Sequence, residues 1–132
     1  MITGYAYVVA DLFHIGHLKY LQSARILCDK LIVGVLTDEA TMEKKRKPII
    51  PFEERLEIVA GLKCVDEAIV QKTYSPLPNA KRLHVDILFE STSHTPEAIT
   101  EAEKTISRVF ILPYYDGQSS TAIKEKVIRE WS

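Results

Sequence analysis

The sequence YAYVVADLFHIGHLKYL at residues 5–21 combines two patterns that decide the fold. Residues 5–9 form an apolar run rich in aromatic and β-branched side chains, which is typical of a buried strand. From residue 18 onward, apolar side chains recur at helical spacing, which predicts an amphipathic helix. His14 and His17, which flank a glycine, therefore lie where a strand ends and a helix begins.

The start of a helix is a favourable place for an anion. Its first backbone N–H groups have no partner within the helix, and the helix dipole is positive at this end. His14 and His17 would add hydrogen-bond donors at the same place, and Gly16 would let a phosphate approach the backbone closely. These residues therefore predict a phosphate-binding site.

Composition sets the broad class of the protein. The chain has 132 residues, 46% of them hydrophobic and 27% charged, which is typical of one globular domain spanning residues 1–132. The net charge of −1 gives no electrostatic attraction to nucleic acid. No apolar stretch reaches the roughly 20 residues that span a bilayer, and the N-terminus lacks the pattern of a secretory signal. Cys28 and Cys64 lack metal-site or redox spacing. We expect a cytoplasmic protein without a nucleic-acid or membrane partner.

Strand and helix patterns alternate along the chain. The predicted strands cover residues 5–9, 31–36, 66–70, 85–89 and 108–112. Helices are predicted from residue 18, from residue 37, over residues 51–62 and 95–105, and from Ser119 or Ser120 to about residue 129. Residues 74–79 are predicted as a loop because of their prolines, and residues 80–83 as a helical turn.

This alternation predicts an α/β fold, namely a doubly wound, Rossmann-like domain with a five-stranded, mostly parallel sheet. Such sheets bind ligands beyond the carboxyl ends of their strands. Three polar segments follow predicted strands and are expected to meet at that edge. They are residues 11–17, the basic run at residues 44–47, and residues 116–121.

Several motifs resemble a known superfamily. His14-Ile15-Gly16-His17 matches the H-x-G-H signature of nucleotidyltransferases, and Asp11 with two apolar residues matches the segment before it. Further similarities follow in the same order at residues 31–39, at Arg55, at residues 65–67 and at residues 117–121. The chain most resembles the small cytidylyltransferases, which include glycerol-3-phosphate cytidylyltransferase and the choline- and ethanolamine-phosphate enzymes.

The resemblance implies a reaction. A member of this family transfers CMP from CTP to a small anionic acceptor that bears a phosphate or phosphonate, and it releases pyrophosphate. Mg²⁺ would be carried by the nucleotide phosphates, without a metal site built from protein ligands, although Asp11 is a possible ligand. A homodimer is also implied. Two alternatives are an adenylyltransferase of the same fold that uses ATP and a non-catalytic nucleotide-binding module.

The resemblance also implies roles for individual residues. His14 and His17 would donate hydrogen bonds to phosphoryl oxygens, and the basic run at residues 44–47 would reach over the triphosphate. Spacing alone does not choose among the basic residues of this run; Lys44 is predicted as catalytic. The residues predicted to bind nucleotide are Val9, Ala10, Asp11, Phe13, Gly16, Lys47, Arg55, Lys63, Asp116, Gly117, Gln118, Ser119, Ser120 and Thr121.

The chain departs from the family pattern at four places. Residues 8–10 replace a glycine-threonine pair of the first loop, and Tyr114 replaces an arginine. Lys63 also stands where relatives have an arginine, and residues 90–94 where they often have Gly-Asp-Asp-Trp. Because these regions help to form the base and acceptor pockets, we expect those pockets to differ from those of the relatives.

Overall fold

The computed structural model describes residues 1–91, 104, 106, 108–113, 115 and 117–131. Five strands are present in this part: β1 (Thr3–Val8), β2 (Lys30–Leu36), β3 (Glu67–Gln71), β4 (Ile87–Ser91) and β5 (Val109–Leu112). The helices are α1 (Ile15–Ile26), α2 (Asp38–Met42), α3 (Phe52–Ala60), α4 (Leu77–Arg82) and α5 (Ser120–Trp131). The predicted helix over residues 95–105 lies mostly outside the described residues.

The five strands form a single sheet in the order β3-β2-β1-β4-β5, and every neighbouring pair is parallel. From β1 the chain moves outward through β2 to β3, and it then returns to place β4 on the other side of β1. This reversal leaves a crevice beyond the carboxyl ends of β1 and β4. The sheet confirms the predicted Rossmann-like fold class.

Helices cover both faces of the sheet because side chains alternate along each strand. In β1, Ala6 and Val8 pack in the cluster that contains residues of α1 and α3. Tyr5 and Tyr7 point into the opposite cluster with α2 and α4. The doubly wound architecture follows from this alternation. None of the helices in the described part of the chain has the length and apolar character needed to span a bilayer.

Helix α4 differs from the sequence-based prediction of a loop up to residue 79. It begins at Leu77, with Pro76 at the N-cap position and a proline in the first turn. Because the first N–H groups of a helix lack partners within it, proline loses no hydrogen bond there. The prolines that predicted a loop thus begin a helix.

A buried hydrogen-bond network fixes the segment after β3. The Tyr5 hydroxyl donates to Oε1 of Gln71 (2.5 Å) and accepts from Asn79 (3.0 Å). The Gln71 amide in turn donates to the backbone carbonyls of Thr73 and Tyr74. Every amide and hydroxyl donor named here has a partner, so the network holds Tyr74 in place beside the carboxyl edge of the sheet.

Candidate active site

A cavity of about 600 Å³ lies at the carboxyl edge of the sheet. The end of β1, the turn after it and the first turns of α1 form one wall. Residues 45–48, which follow α2, and the first turns of α5 form others. The lining residues are Tyr7, Val8, Val9, Asp11, His14, Gly16, His17, Tyr20, Thr41, Lys45, Arg46, Pro48, Ser91, Pro113, Tyr115, Gln118, Ser119, Ser120, Thr121 and Lys124.

The two histidines cap α1 reciprocally. Nδ1 of His14 accepts from the Gly16 N–H at 2.9 Å, and Nδ1 of His17 accepts from the His14 N–H at 3.1 Å. This is a capping box in which imidazoles replace the usual hydroxyl and carboxylate. Helix α1 therefore begins at Ile15, three residues before the first apolar residue of the predicted helical pattern.

The caps determine which nitrogen carries the proton. An Nδ1 atom that accepts a hydrogen bond has no proton, so each neutral ring carries its proton on Nε2. Burial lowers the pKa of His14. Burial and the neighbouring His14 lower the pKa of His17 to about 4; Asp11 opposes this shift and Lys45 adds to it. Both rings are therefore neutral near pH 7, and each retains one N–H donor.

Gly16 is required by the packing of His14. A Cβ atom at this position would lie 2.6 Å from Cε1 and 2.9 Å from Nδ1 of His14. It would also lie 3.3 Å from the carbonyl oxygen of Gln118. The His14 ring occupies the space that the side chain of a larger residue at position 16 would need. Phe13 supports the second imidazole, with its ring 5.1 Å from that of His17 and nearly parallel.

Asp11 joins three segments of the site. Its buried carboxylate accepts from the N–H groups of Ile49 (3.0 Å) and Ile50 (2.9 Å) and lies 3.3 Å from Nζ of Lys124. Burial alone would raise the pKa of Asp11, but these backbone hydrogen bonds and the Lys124 ammonium lower it. The carbonyl oxygen of Asp11 also accepts from the Ser120 hydroxyl at 2.5 Å.

The turn between β1 and α1 contains two residues in the left-handed region. Ala10 has φ 61° and Leu12 has φ 48°. This conformation costs a residue with a Cβ atom about 1 kcal/mol. Ala10 therefore adopts a backbone conformation that favours glycine. Val9 lines the cavity beside it, whereas Ala10 is buried.

The first turn of α5 contacts the turn between β1 and α1 through the hydrogen bond from Ser120 to Asp11. Ser119 caps α5 by accepting from the Ala122 N–H at 3.0 Å, and its own N–H donates to the Gln118 side chain at 3.2 Å. Gln118, Ser119, Ser120 and Thr121 all line the cavity. Gly117 packs closely against the Tyr115 ring, since a Cβ there would lie 2.6 Å from its hydroxyl. The predicted residue Asp116 lies outside the described residues.

The side chains of the basic run at residues 44–47 do not all line the cavity, and two of them lie over an aromatic ring. Lys45 and Arg46 line the cavity, whereas Lys44 and Lys47 do not. Nζ of Lys44 instead lies 5.2 Å from the centre of the Tyr74 ring, and Nζ of Lys45 lies 5.9 Å from it. The Tyr74 N–H donates to the Glu43 carboxylate at 3.1 Å, which joins this ring to the start of the run. All four basic side chains are exposed.

The sequence profile of the cytidylyltransferase-like family matches residues 6–126. The chain belongs to the cytidylyltransferase-like family. It is 36% identical over 127 residues to bifunctional protein HldE from Pelobacter propionicus and 32% identical over 119 residues to HldE from Campylobacter fetus subsp. fetus. These alignments cover 92% and 89% of this chain but 26% of each relative, so the chain spans about a quarter of their length.

Solved structures share the fold. The lipopolysaccharide core biosynthesis protein from Thermoplasma volcanium GSS1 matches with a TM-score of 0.77 and 29% identity, over 88% of this chain and 99% of that protein. A protein of unknown function from Archaeoglobus fulgidus matches with a TM-score of 0.58 and 20% identity, over 90% of this chain and 94% of that protein. Both structures therefore share the fold over most of this chain.

Arg55, which was predicted to bind nucleotide, does not line the cavity of this cytidylyltransferase-like chain. It is fully buried, and its guanidinium donates to the carbonyl oxygens of Ile50 (2.9 Å), Val9 (2.6 Å) and Leu36 (2.8 Å). It also pairs with the Asp38 carboxylate at 2.7 Å. Arg55 therefore joins the ends of β1 and β2 beneath the site, because its guanidinium donates to backbone oxygens of both segments.

Lys63 is also displaced from the predicted site. Helix α3 returns the chain from the carboxyl edge to the amino edge of the sheet, and exposed Lys63 lies between its end and the start of β3. Lys63 is not among the residues that line the cavity. A crossover helix separates Lys63 from the carboxyl edge in this structure, and its nucleotide-binding role stays a prediction.

Nine residues line the cavity although they were neither predicted as catalytic or nucleotide-binding nor part of the basic run: Tyr7, Val8, Tyr20, Thr41, Pro48, Ser91, Pro113, Tyr115 and Lys124. Tyr7 and Tyr20 are anchored from below, since their hydroxyls donate to the Glu90 carboxylate (2.7 Å) and the Phe89 carbonyl (3.1 Å). In the sequence, Tyr7 belonged to a buried strand and Tyr20 to a helix, so neither had a functional signal. Lys124 lies four residues after Ser120, on the same face of α5, but this spacing alone does not distinguish it from other charged residues of the helix.

Proposed function

We propose that this domain transfers a nucleotidyl group from a nucleoside triphosphate, CTP, to a phosphate- or phosphonate-bearing small molecule. One observation carries the proposal. Two neutral imidazoles that keep their proton on Nε2, a capped helix start and the cationic residues Lys45, Arg46 and Lys124 all border a single cavity. Family membership supports the same reaction class.

The chemistry needs positioning and charge neutralisation more than acid–base catalysis. An oxygen of the anionic acceptor forms a bond to the α-phosphorus, and the bond from that phosphorus to the bridging oxygen breaks, so pyrophosphate leaves with the electron pair. No proton has to be removed from the acceptor. The Nε2–H groups of His14 and His17 would donate to the α-phosphoryl oxygens, while the cations would stabilise the leaving group.

The residues fit a magnesium ion that arrives with the nucleotide. No group of three or more His, Cys, Asp or Glu side chains in the described part of the chain could hold a metal ion. The carboxylate that lines the cavity, that of Asp11, is engaged by two backbone N–H groups and Lys124. Mg²⁺ bound to the phosphates would neutralise their charge, so we infer that the protein holds the metal through the nucleotide.

Adenylyl transfer from ATP is a second candidate. The family description names a cytidylyltransferase-like domain, which supports CTP. The relatives at 32% to 36% identity have the name bifunctional protein HldE, which does not specify CTP. The residues replaced relative to the small cytidylyltransferases also fall in the region of the base pocket. Whether the nucleotide is CTP or ATP is therefore decided by experiment.

The acceptor is proposed by its chemical class. It carries a phosphate or phosphonate on a polyol, sugar or amino alcohol. The structural relative named as a lipopolysaccharide core biosynthesis protein makes sugar phosphates the first acceptors to test. The homodimer stays a prediction, which light scattering of the purified chain would test.

The test is a matrix of nucleotides and acceptors. The chain is incubated with CTP or ATP, Mg²⁺ and inorganic pyrophosphatase, and phosphate release is measured over polyol, sugar and amino-alcohol phosphates and phosphonates. We expect turnover with CTP. Turnover with ATP alone would select adenylyl transfer, and tight nucleotide binding without product from any acceptor would select the non-catalytic module. A matched His14→Asn chain, which retains a helix cap but lacks the Nε2–H donor, controls for contaminating enzymes.

A further inference from the structure

The Tyr74 ring lies beyond the carboxyl end of β3, and two ammonium groups lie over it. Nζ of Lys44 is 5.2 Å from the ring centre, and Nζ of Lys45 is 5.9 Å from it. Both distances are within the roughly 6 Å over which an aromatic face attracts a cation. Lys45 lines the cavity at the same time, whereas Lys44 and Tyr74 do not. The ring therefore holds the Lys44 ammonium group beside the cavity and not in it.

The position of the Tyr74 ring is set by the sheet. The buried Gln71 side chain, at the end of β3, donates to the Tyr74 carbonyl oxygen at 3.2 Å. The Tyr74 N–H donates to the Glu43 carboxylate at 3.1 Å, and the partly buried ring packs against the apolar cluster that contains Tyr5. None of these contacts involves the Lys44 side chain, so the ring would keep its position if that side chain moved away.

The Lys44 side chain is held less firmly than the ring. Its backbone N–H donates to the Thr41 carbonyl at 3.2 Å, which continues the last turn of α2. The side chain is exposed and flexible, so holding it in one place opposes its conformational entropy. A cation–π contact at an exposed site shifts an equilibrium by about two- to fivefold. The ring therefore favours one place for the ammonium group without fixing it there. Lys45, the next residue, already lines the cavity, so a change of rotamer would bring Lys44 to the same rim.

We propose that Tyr74 is a positioning residue that keeps the Lys44 ammonium group out of the phosphate site until a polyphosphate enters the cavity. The inference rests on the proposed function, because it takes the cavity as the triphosphate site. A ligand that engages Lys44 has an apparent Kd equal to its intrinsic Kd divided by the fraction of molecules in which this lysine is away from the ring. The ring thus weakens polyphosphate binding, and it does so through Lys44.

The test uses inorganic tripolyphosphate, which has neither a base nor an acceptor group. Its Kd for the 132-residue chain is measured by titration calorimetry. Tyr74→Leu removes the aromatic face and keeps an apolar side chain, so the Kd should fall about two- to fivefold. Tyr74→Phe keeps the face, and its Kd should stay within about 1.5-fold of wild type. A merely structural role would give the opposite sign, because a less ordered loop would raise the Kd of Tyr74→Leu.

A double-mutant cycle identifies the lysine through which the ring acts. In a Lys44→Gln background, Tyr74→Leu should leave the Kd unchanged. The matched Lys45→Gln background should retain the two- to fivefold fall, because Lys45 already lines the cavity. Thermal unfolding checks that each variant is folded. Tyr74→Met also lacks a ring and should give the same fall, so it replaces Tyr74→Leu if that variant does not fold.

The outcomes separate this inference from the proposed reaction. If removal of the ring leaves the Kd unchanged or raises it, or if the effect persists without Lys44, the inference fails whether or not nucleotide is turned over. If the Kd falls as expected but no nucleotide is turned over with any acceptor, the inference stands and the reaction fails. Absence of tripolyphosphate binding to wild type overturns the inference, because Lys44 would have no phosphate site to enter.

Discussion

The backbone N–H of His14 donates to Nδ1 of His17 at 3.1 Å, so the second histidine of the motif completes the N-terminal cap that the first begins. Each imidazole thereby uses Nδ1 to cap the helix and keeps Nε2 for the proposed chemistry. This double use fits the spacing of the two histidines, because a reciprocal cap requires the side chain that reaches back to lie three positions after the N-cap.

The first prediction separates the cap from the chemistry. His14→Asn and His17→Gln keep a side-chain oxygen that can accept the capping N–H, but they lack the Nε2–H donor. We expect Tm to change by only a few degrees and kcat to fall about a hundredfold or more, as when an oxyanion donor is lost. Alanine at either position should also destabilise the chain by about 1 kcal/mol. Steady-state kinetics and urea unfolding measure both effects. A near-normal kcat in both variants would contradict the proposed donors.

The second prediction concerns pH. His17 has a pKa of about 4 in the folded chain against an ordinary value of 6.5, so the unfolded chain binds more protons between these values. The free energy of unfolding should therefore rise with pH across this window; the contribution is complete above pH 6.5 and is lost as the pH falls toward 4. Urea unfolding at several pH values measures the slope. His17→Gln should flatten it, and His84→Gln, at an exposed position, should not. An unchanged slope in the first variant would count against a buried neutral imidazole.

The third prediction concerns the loop held by Asp11. Asp11→Asn retains one carbonyl oxygen and leaves one backbone N–H without its acceptor, which should lower the free energy of unfolding by about 1 to 2 kcal/mol. Asp11→Ala removes both acceptors and should cost about 3 kcal/mol or more. The control is Asp86→Asn, whose exposed carboxylate accepts from the single N–H of Thr3 and should cost less than about 1 kcal/mol. Equal stability of all three variants would show that Asp11 does not anchor the loop.

The fourth prediction tests whether Arg55 stabilises the fold beneath the site or contacts the nucleotide. A single lysine ammonium cannot serve three carbonyl oxygens and a carboxylate in the plane of a guanidinium, so Arg55→Lys should destabilise the chain by about 3 kcal/mol or more. The control Arg25→Lys alters a pair that is one-third exposed and should cost about 1 kcal/mol or less. At a temperature where both are folded, KM for the nucleotide should match wild type. A stable Arg55→Lys chain with a tenfold higher KM would restore the sequence-based prediction of nucleotide contact.

The sheet could be predicted because its signals are local. The apolar runs of β1, β2 and β4 occur at the predicted places, and alternation with helices fixes parallel strands. Helix α4 could not be predicted from its prolines, since proline also disrupts helices and only the position within the first turn decides between the two effects. The same alternation placed His14, Asp11 and Ser119 at one edge.

The sequence did not indicate how deeply each side chain is buried or which way it points. Arg55 and Lys63 resemble the nucleotide ligands of relatives in residue type, but one is buried beneath the site and the other lies beyond a crossover helix. Conversely, Lys124 resembles any charged residue on an exposed helix face, and only the fold brings it to Asp11. Of the basic run, the sequence could not tell that Lys45 faces the cavity while Lys44 faces Tyr74.

The Tyr74 ring beneath Lys44 and Lys45 has a consequence for how fast an anion can be admitted and released. A neutral aromatic face attracts an ammonium group without forming a full ion pair, and the nearby Glu43 carboxylate is engaged with a backbone N–H. Among the residues that the structure describes, neither lysine forms an ion pair, so an incoming polyanion would have no paired carboxylate to displace from them. In the proposed reaction, the same weak contact would let both side chains return to the ring once pyrophosphate departs, which would favour product release.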